Sequence, residues 1–105
     1  MINVSLTSVS VSTAASGQTA IVAAPSNGTA IYVVSYVLVA SGAVTVQWQS
    51  GSTALTGAMS LAANGGLVVL GREESHLFKC APNTALNINL GGAVQVSGHI
   101  SYFVV

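Results

Sequence analysis

The chain has 105 residues, 51% hydrophobic and 4% charged, with a formal net charge of zero, so it cannot build the basic face that nucleic-acid binding needs. Its four charged residues, Arg72, Glu73, Glu74 and Lys79, fall in one short window, and none precedes Arg72. Soluble monomers usually keep about a quarter of their residues charged, so this neutrality predicts surfaces that meet other protein.

The length fits one domain, and a domain of this size buries roughly two-thirds of the surface its unfolded chain exposes. The apolar supply exceeds so thin a core, so part of it is expected in subunit interfaces. The longest apolar stretch, Ala30 to Ala40, is too short for a membrane helix and rich in β-branched residues. An outer-membrane barrel needs more chain. Met1 to Leu6 lacks the basic start of a signal peptide, so the chain is expected to be soluble and unprocessed.

Short alternating runs broken by Gly, Asn, Ser and Pro predict an all-β fold: an antiparallel β-sandwich or jelly-roll-like barrel of about eight strands. Val4 and Leu6 lie in one phase and Val9 and Val11 in the other, which predicts a register slip near Thr7-Ser8. Ser12 to Gln18 is small and polar. Residues 1–18 are therefore read as an N-terminal arm or swapped strand, and residues 19–105 as the sandwich domain.

A strand at Thr19 to Ala23 ends in Pro25-Ser26-Asn27-Gly28, where Asn-Gly supplies positive φ. The next run, Ile31 to Val39, is apolar on both faces. Ile31, Val33, Val37 and Val39 are expected in the core. Tyr32, Val34, Tyr36 and Leu38 form the face expected at a subunit contact, since Tyr joins an apolar ring to a hydroxyl that tolerates a wet boundary. In Val44 to Trp48 the set Val44, Val46 and Trp48 faces inward, which makes Trp48 a core residue rather than a sugar-stacking platform. Shorter strands follow at Ala58 to Leu61 and Leu67 to Leu70, joined by Asn64-Gly65-Gly66.

Gly71 to Ser75 reads as a solvated loop. Its functional alternative is a set of inter-subunit ion pairs from Arg72, Glu73, Glu74 and Lys79 that fix register. His76, Phe78 and Cys80 share one face of the next strand, and Cys80, with no intrachain mate, reads as a buried small hydrophobe. Leu86, Ile88 and Leu90 alternate with Asn87 and Asn89. The last strand, Val94 to Val105, sets Val94, Val96, Ile100, Tyr102 and Val104 against Gln95, Ser97, His99 and Ser101. Phe103 and Val105 then make its second face apolar, which adds both to the expected interface of Tyr32, Tyr36 and Leu38.

No enzymatic chemistry is expected. The chain has no Asp, and Glu73 and Glu74 are adjacent, so on a strand they point apart and cannot act as paired carboxylates. The only imidazoles, His76 and His99, have no evident nucleophile or orienting acid. Cys80, His76, His99 and Glu74 lack a ligand spacing, so neither a metal nor another cofactor is expected.

The stretches Ser35 to Val46, Ser50 to Gly66, Ala85 to Leu90 and Gly98 to Tyr102 resemble small virion proteins of tailed bacteriophages, and in particular capsid decoration, or cement, proteins. The resemblance implies a structural β-rich homotrimer on the outer surface of the capsid that bridges subunits of the major capsid protein. It also implies that an N-terminal arm reaches a neighbouring subunit. The alternative is a carbohydrate- or receptor-binding β-module of a phage tail or fibre.

Overall fold

The computed structural model describes residues 6–72 and 75–105. They form ten β-strands and, among the described residues, no helix. The strands are β1 (Thr7–Thr13), β2 (Gly17–Val22), β3 (Ile31–Ala40), β4 (Val44–Ser50), β5 (Thr53–Ala54), β6 (Met59–Leu61), β7 (Gly66–Val69), β8 (Phe78–Lys79), β9 (Leu86–Leu90) and β10 (Val96–Val104). Two five-stranded sheets pack face to face, as expected of a β-sandwich. The first runs β1-β10-β3-β7, with β8 on the same edge of β3 as β7. The second runs β2-β9-β4-β5, with β6 beside β5 on β4. All pairings are antiparallel.

The inner faces follow the two-residue period. Val44, Val46 and Trp48 of β4 and Leu86, Ile88 and Leu90 of β9 are all buried, and from the first sheet they meet Val11, Ile31, Val33, Tyr36, Leu38, Val96 and Ile100. Trp48 is 1% exposed. Its ring lies 5.4 Å from that of Tyr36 and 6.4 Å from that of Phe78. Asn27 and Gly28 both take positive φ, 59° and 75°, so the turn before β3 forms where Asn-Gly predicts it.

The β3 strand departs from simple alternation. Ser101 of β10 faces Ser35, but Tyr102 faces Val33, so Val34 is an extra residue on β3. Such a bulge reverses the phase of everything beyond it. Ile31 and Val33 point into the core before it, and Tyr36, Leu38 and Ala40 after it. The expectation that Tyr36 and Leu38 form an outward contact face is thereby corrected: they are 4% and 0% exposed, and Val39, expected in the core, is 50% exposed.

The boundary read at Gln18 falls inside β2. Thr7 to Thr13 is an edge strand laid on β10 in seven unbroken register pairs, Thr7↔Tyr102 to Thr13↔Val96. Within it Val11 is buried, and the preceding Leu6 is exposed. Met1 to Ser5, which include Val4 and most of the arm's start, lie outside the described residues.

Candidate assembly surfaces

The outer face of the first sheet has two unlike halves. On β1 and β10 it carries Ser8, Ser10, Ser12, Ser97, His99 and Ser101, all solvent-facing or half-buried. These hydroxyls bond locally: Ser8 and Ser101 share a hydrogen bond of 3.2 Å, and Gln95 Nε2 donates to Ser12 and Ser97 at 3.1 and 3.0 Å. On β3 and β7 the same face turns apolar. Val37 stands opposite Val68, Val39 stands opposite Gly66, and Leu70 follows in the phase of Val68. Val39, Val68 and Leu70 are 50%, 66% and 76% exposed, which leaves large aliphatic side chains in water beside an open sheet edge.

These three residues are absent from the interface expected from sequence. The available signal was the run Leu67 to Leu70, four apolar residues on a short strand; since successive residues face opposite ways, an edge strand cannot bury them all. Gly66 lets the strand approach closely, because a Cβ there would collide with the Leu38 carbonyl oxygen.

At the other end of the same face an aromatic cluster surrounds Tyr32. Its ring stacks on Phe103 at 4.9 Å with planes 5° apart, and His76 meets it edge-on at 4.8 Å and 88°. The ammonium of Lys79, its register partner on β8, sits 5.6 Å above the ring centroid. Of the expected contact residues, Tyr32 is thus half-buried and lies on the outer face. Phe103 is only 5% exposed, because Tyr32 covers it within the chain, so its expected place at a subunit boundary is also corrected. Val105 is 54% exposed, and its backbone pairs with Ala30 through bonds of 2.9 and 3.2 Å.

Of the expected ion-pair set, Arg72 and Lys79 lie among the described residues. Lys79 belongs to the Tyr32 cluster. Arg72 is exposed and closes a small backbone bridge with Ser75, whose N–H donates to the Arg72 carbonyl at 3.0 Å. Glu73 and Glu74 lie outside the described residues.

The outer face of the second sheet is lined by amides. In register across β2, β9 and β4 stand Gln18, Asn89 and Gln47, with Asn87 and Gln49 in the next row. They hold one another: Gln18 donates to Gln49, Gln49 Nε2 donates to Gln47 Oε1 at 3.1 Å, and the Gly51 carbonyl accepts from Gln18 and Asn87, each at 2.9 Å. Amides already bonded to each other have less to offer a ligand than free ones.

Among the described residues are two open surface clefts. One, of about 490 Å³, is lined by Ser50, Gly51, Ser52, Thr53, Leu55, Ala81 and Thr84, a neutral wall of hydroxyls and small side chains. The other, of about 550 Å³, lies among Leu70, Gly71, Arg72, Ser75, His76 and Leu77. Cys80, which precedes Ala81 of the first cleft, is 1% exposed, its N–H donating to the Ile31 carbonyl at 2.9 Å. Burial pushes its thiol pKa up, and a hydrogen bond from the Ser50 side chain acts the other way. Nucleophilic thiols need the opposite shift, together with exposure.

No protein-family model matches the chain. No curated protein sequence matches it either. Among solved structures it is similar to a chain from the work described as "Bacillus endospore appendages form a novel family of disulfide-linked pili", with a TM-score of 0.54 and 20% sequence identity over 96% of this chain and 85% of that one. At this identity the likeness shows a shared fold: nearly all of the present chain has its counterpart in one β-sandwich.

Proposed function

We propose that the chain is a structural, non-enzymatic protein that works by assembling with other protein through uncharged surfaces, as a capsid decoration protein of a tailed phage. The carrying observation is the aliphatic strip Val39, Val68 and Leu70 on the outer face of the first sheet, in a chain without a charge before Arg72. Apolar area contributes about 25 cal/mol per Å² when removed from water, and neutral rims add no repulsion between copies. The resemblance of Ser35 to Val46 and the following stretches to virion proteins supports the capsid as the place of assembly. The sandwich shared with a pilus-forming chain supports a structural role.

That pilus is described as disulfide-linked. Here the single cysteine lies in the core, out of reach of a disulfide between folded copies. On this reading the protein forms a homo-oligomer on the outside of the capsid and spans neighbouring major capsid protein subunits. The alternative of a sugar-binding tail module has lost its first platform, since Trp48 is enclosed between the sheets.

The test is co-sedimentation of the full chain with expanded heads built from the major capsid protein of the same phage, followed by negative-stain microscopy. Saturable binding with regular surface density is expected. Failure to bind heads, with long filaments forming from the chain alone, would overturn decoration in favour of a pilus-like assembly.

A further inference from the structure

The free edge of β1 carries a second assembly element, distinct from the aliphatic strip. Among the described residues β1 pairs only with β10, so every second residue turns its N–H and C=O outward from the sheet with no strand to meet them. Sheet proteins usually blunt such an edge with charge, proline, a bulge or shortness. The other long edge strand, β2, has a bulge between Ala20 and Val22, and β5, β6, β7 and β8 have two to four residues each. β1 has seven residues, no charge, no proline, no glycine and no bulge.

Its sequence is also a palindrome. Thr7-Ser8-Val9-Ser10-Val11-Ser12-Thr13 reads the same in both directions about Ser10. Two copies laid antiparallel across a twofold axis through Ser10 therefore place each residue against its own kind: Ser10 on Ser10, Ser8 on Ser12, Val9 on Val11, Thr7 on Thr13. Directly opposed residues share a face. The serines thus meet on the outer face, where Ser8, Ser10 and Ser12 are exposed, and the valines meet on the inner face, where Val11 is buried and Val9 only half-buried. The partner's Val11 would cover what remains open of Val9. No neighbouring pair brings charge to charge.

From these features we infer that β1 pairs with β1 of a second copy, joining the two first sheets into one continuous sheet. The contact is isologous and closes on itself. It leaves both aliphatic strips on the same side of the joined sheet, one at each flank, so the pair offers two apolar contacts to one underlying surface. This deepens the assembly reading and rests on it only for the premise that copies associate.

Cysteine placement tests the pairing and its register, since Cys80 is buried and the unmodified chain provides the background. Ser10→Cys should give a covalent dimer on mild oxidation, because opposed side chains across a twofold come within reach of a disulfide. Ser8→Cys and Ser12→Cys should cross-link poorly alone and efficiently when mixed. Ser10→Lys, an exposed change, should convert the dimer seen by sedimentation velocity to monomer with the melting temperature kept, because it sets two ammonium groups face to face. A monomeric parent chain, a dimer that survives Ser10→Lys, or Ser8→Cys cross-linking to itself as readily as to Ser12→Cys would each overturn the pairing. Oligomers that persist without the Ser10→Cys cross-link overturn this edge alone, leaving the assembly reading to be decided by head binding.

Discussion

Tyr36 lies edge-on to Trp48 inside the sandwich, with planes 66° apart, and its hydroxyl donates to Met59 Sδ at 3.7 Å. The indole Nε1 of Trp48 is buried with no acceptor in hydrogen-bonding geometry among the described residues. The pair joins the two sheets through ring packing, which is worth about 0.5 to 1.5 kcal/mol beyond area burial. Tyr36→Ala should cost about 3 to 5 kcal/mol in denaturant unfolding, and native Trp48 emission should be blue and resistant to acrylamide. Red-shifted, readily quenched emission would place the indole at the surface instead.

Val68→Glu and Leu70→Glu act on the opposite kind of position. Both side chains project into water, so their replacement should change folding stability by no more than about 0.5 kcal/mol. A carboxylate in a desolvated contact is costly, so the same variants should lose binding to heads. Unchanged binding, measured by co-sedimentation, would remove the strip from the interface.

Gly98 sits in β10 between Val11 and Leu38, with φ at 156°. A Cβ there would collide with the carbonyl oxygen of Val37, and backbone in the middle of a sheet cannot yield cheaply. Gly98→Ala should lower stability by about 2 kcal/mol or more, read as a drop in denaturant midpoint. A neutral outcome would show that β3 and β10 are spaced more loosely.

Alkaline pH should weaken the fold through two buried groups. Burial raises the Tyr36 phenol above its ordinary value, against a smaller opposing effect of the Trp48 indole, and burial likewise raises the Cys80 thiol. Each group holds its proton more tightly folded than unfolded, so its contribution is complete below the unfolded pKa and is lost as pH rises through the folded one. With unfolded values of about 8.5 for Cys and about 10 for Tyr, stability should be flat toward neutrality and fall from the upper eights onward. Tyr36→Phe should shallow that fall above pH 10, measured by urea midpoints across pH.

The strands that sequence locates best, Val44 to Trp48 and Leu86 to Leu90, are those where alternation and burial coincide residue by residue. The Asn27-Gly28 turn is legible for the same reason: its chemistry is local. The orientation of Tyr36 and Leu38 is hidden because the residue that decides it, Val34, is an ordinary valine whose role as a bulge depends on Ser101 and Tyr102, far away in the chain. The edge position of β1 is equally non-local, since it follows from Thr7 meeting Tyr102. The Val68 and Leu70 strip combines both kinds of information: the apolar run is visible in sequence, but which members face water depends on register with Val37 and Val39.

The serine half and the aliphatic half of the first sheet's outer face share one property with a physical corollary. Among the described residues, β1, β3, β7 and β10 carry no Asp, Glu, Lys or Arg, so dissolved salt has no ion pair there to screen. Contacts made through this face should hold from dilute buffer to molar sodium chloride, tighten in sulfate and loosen on cooling, as apolar contacts do.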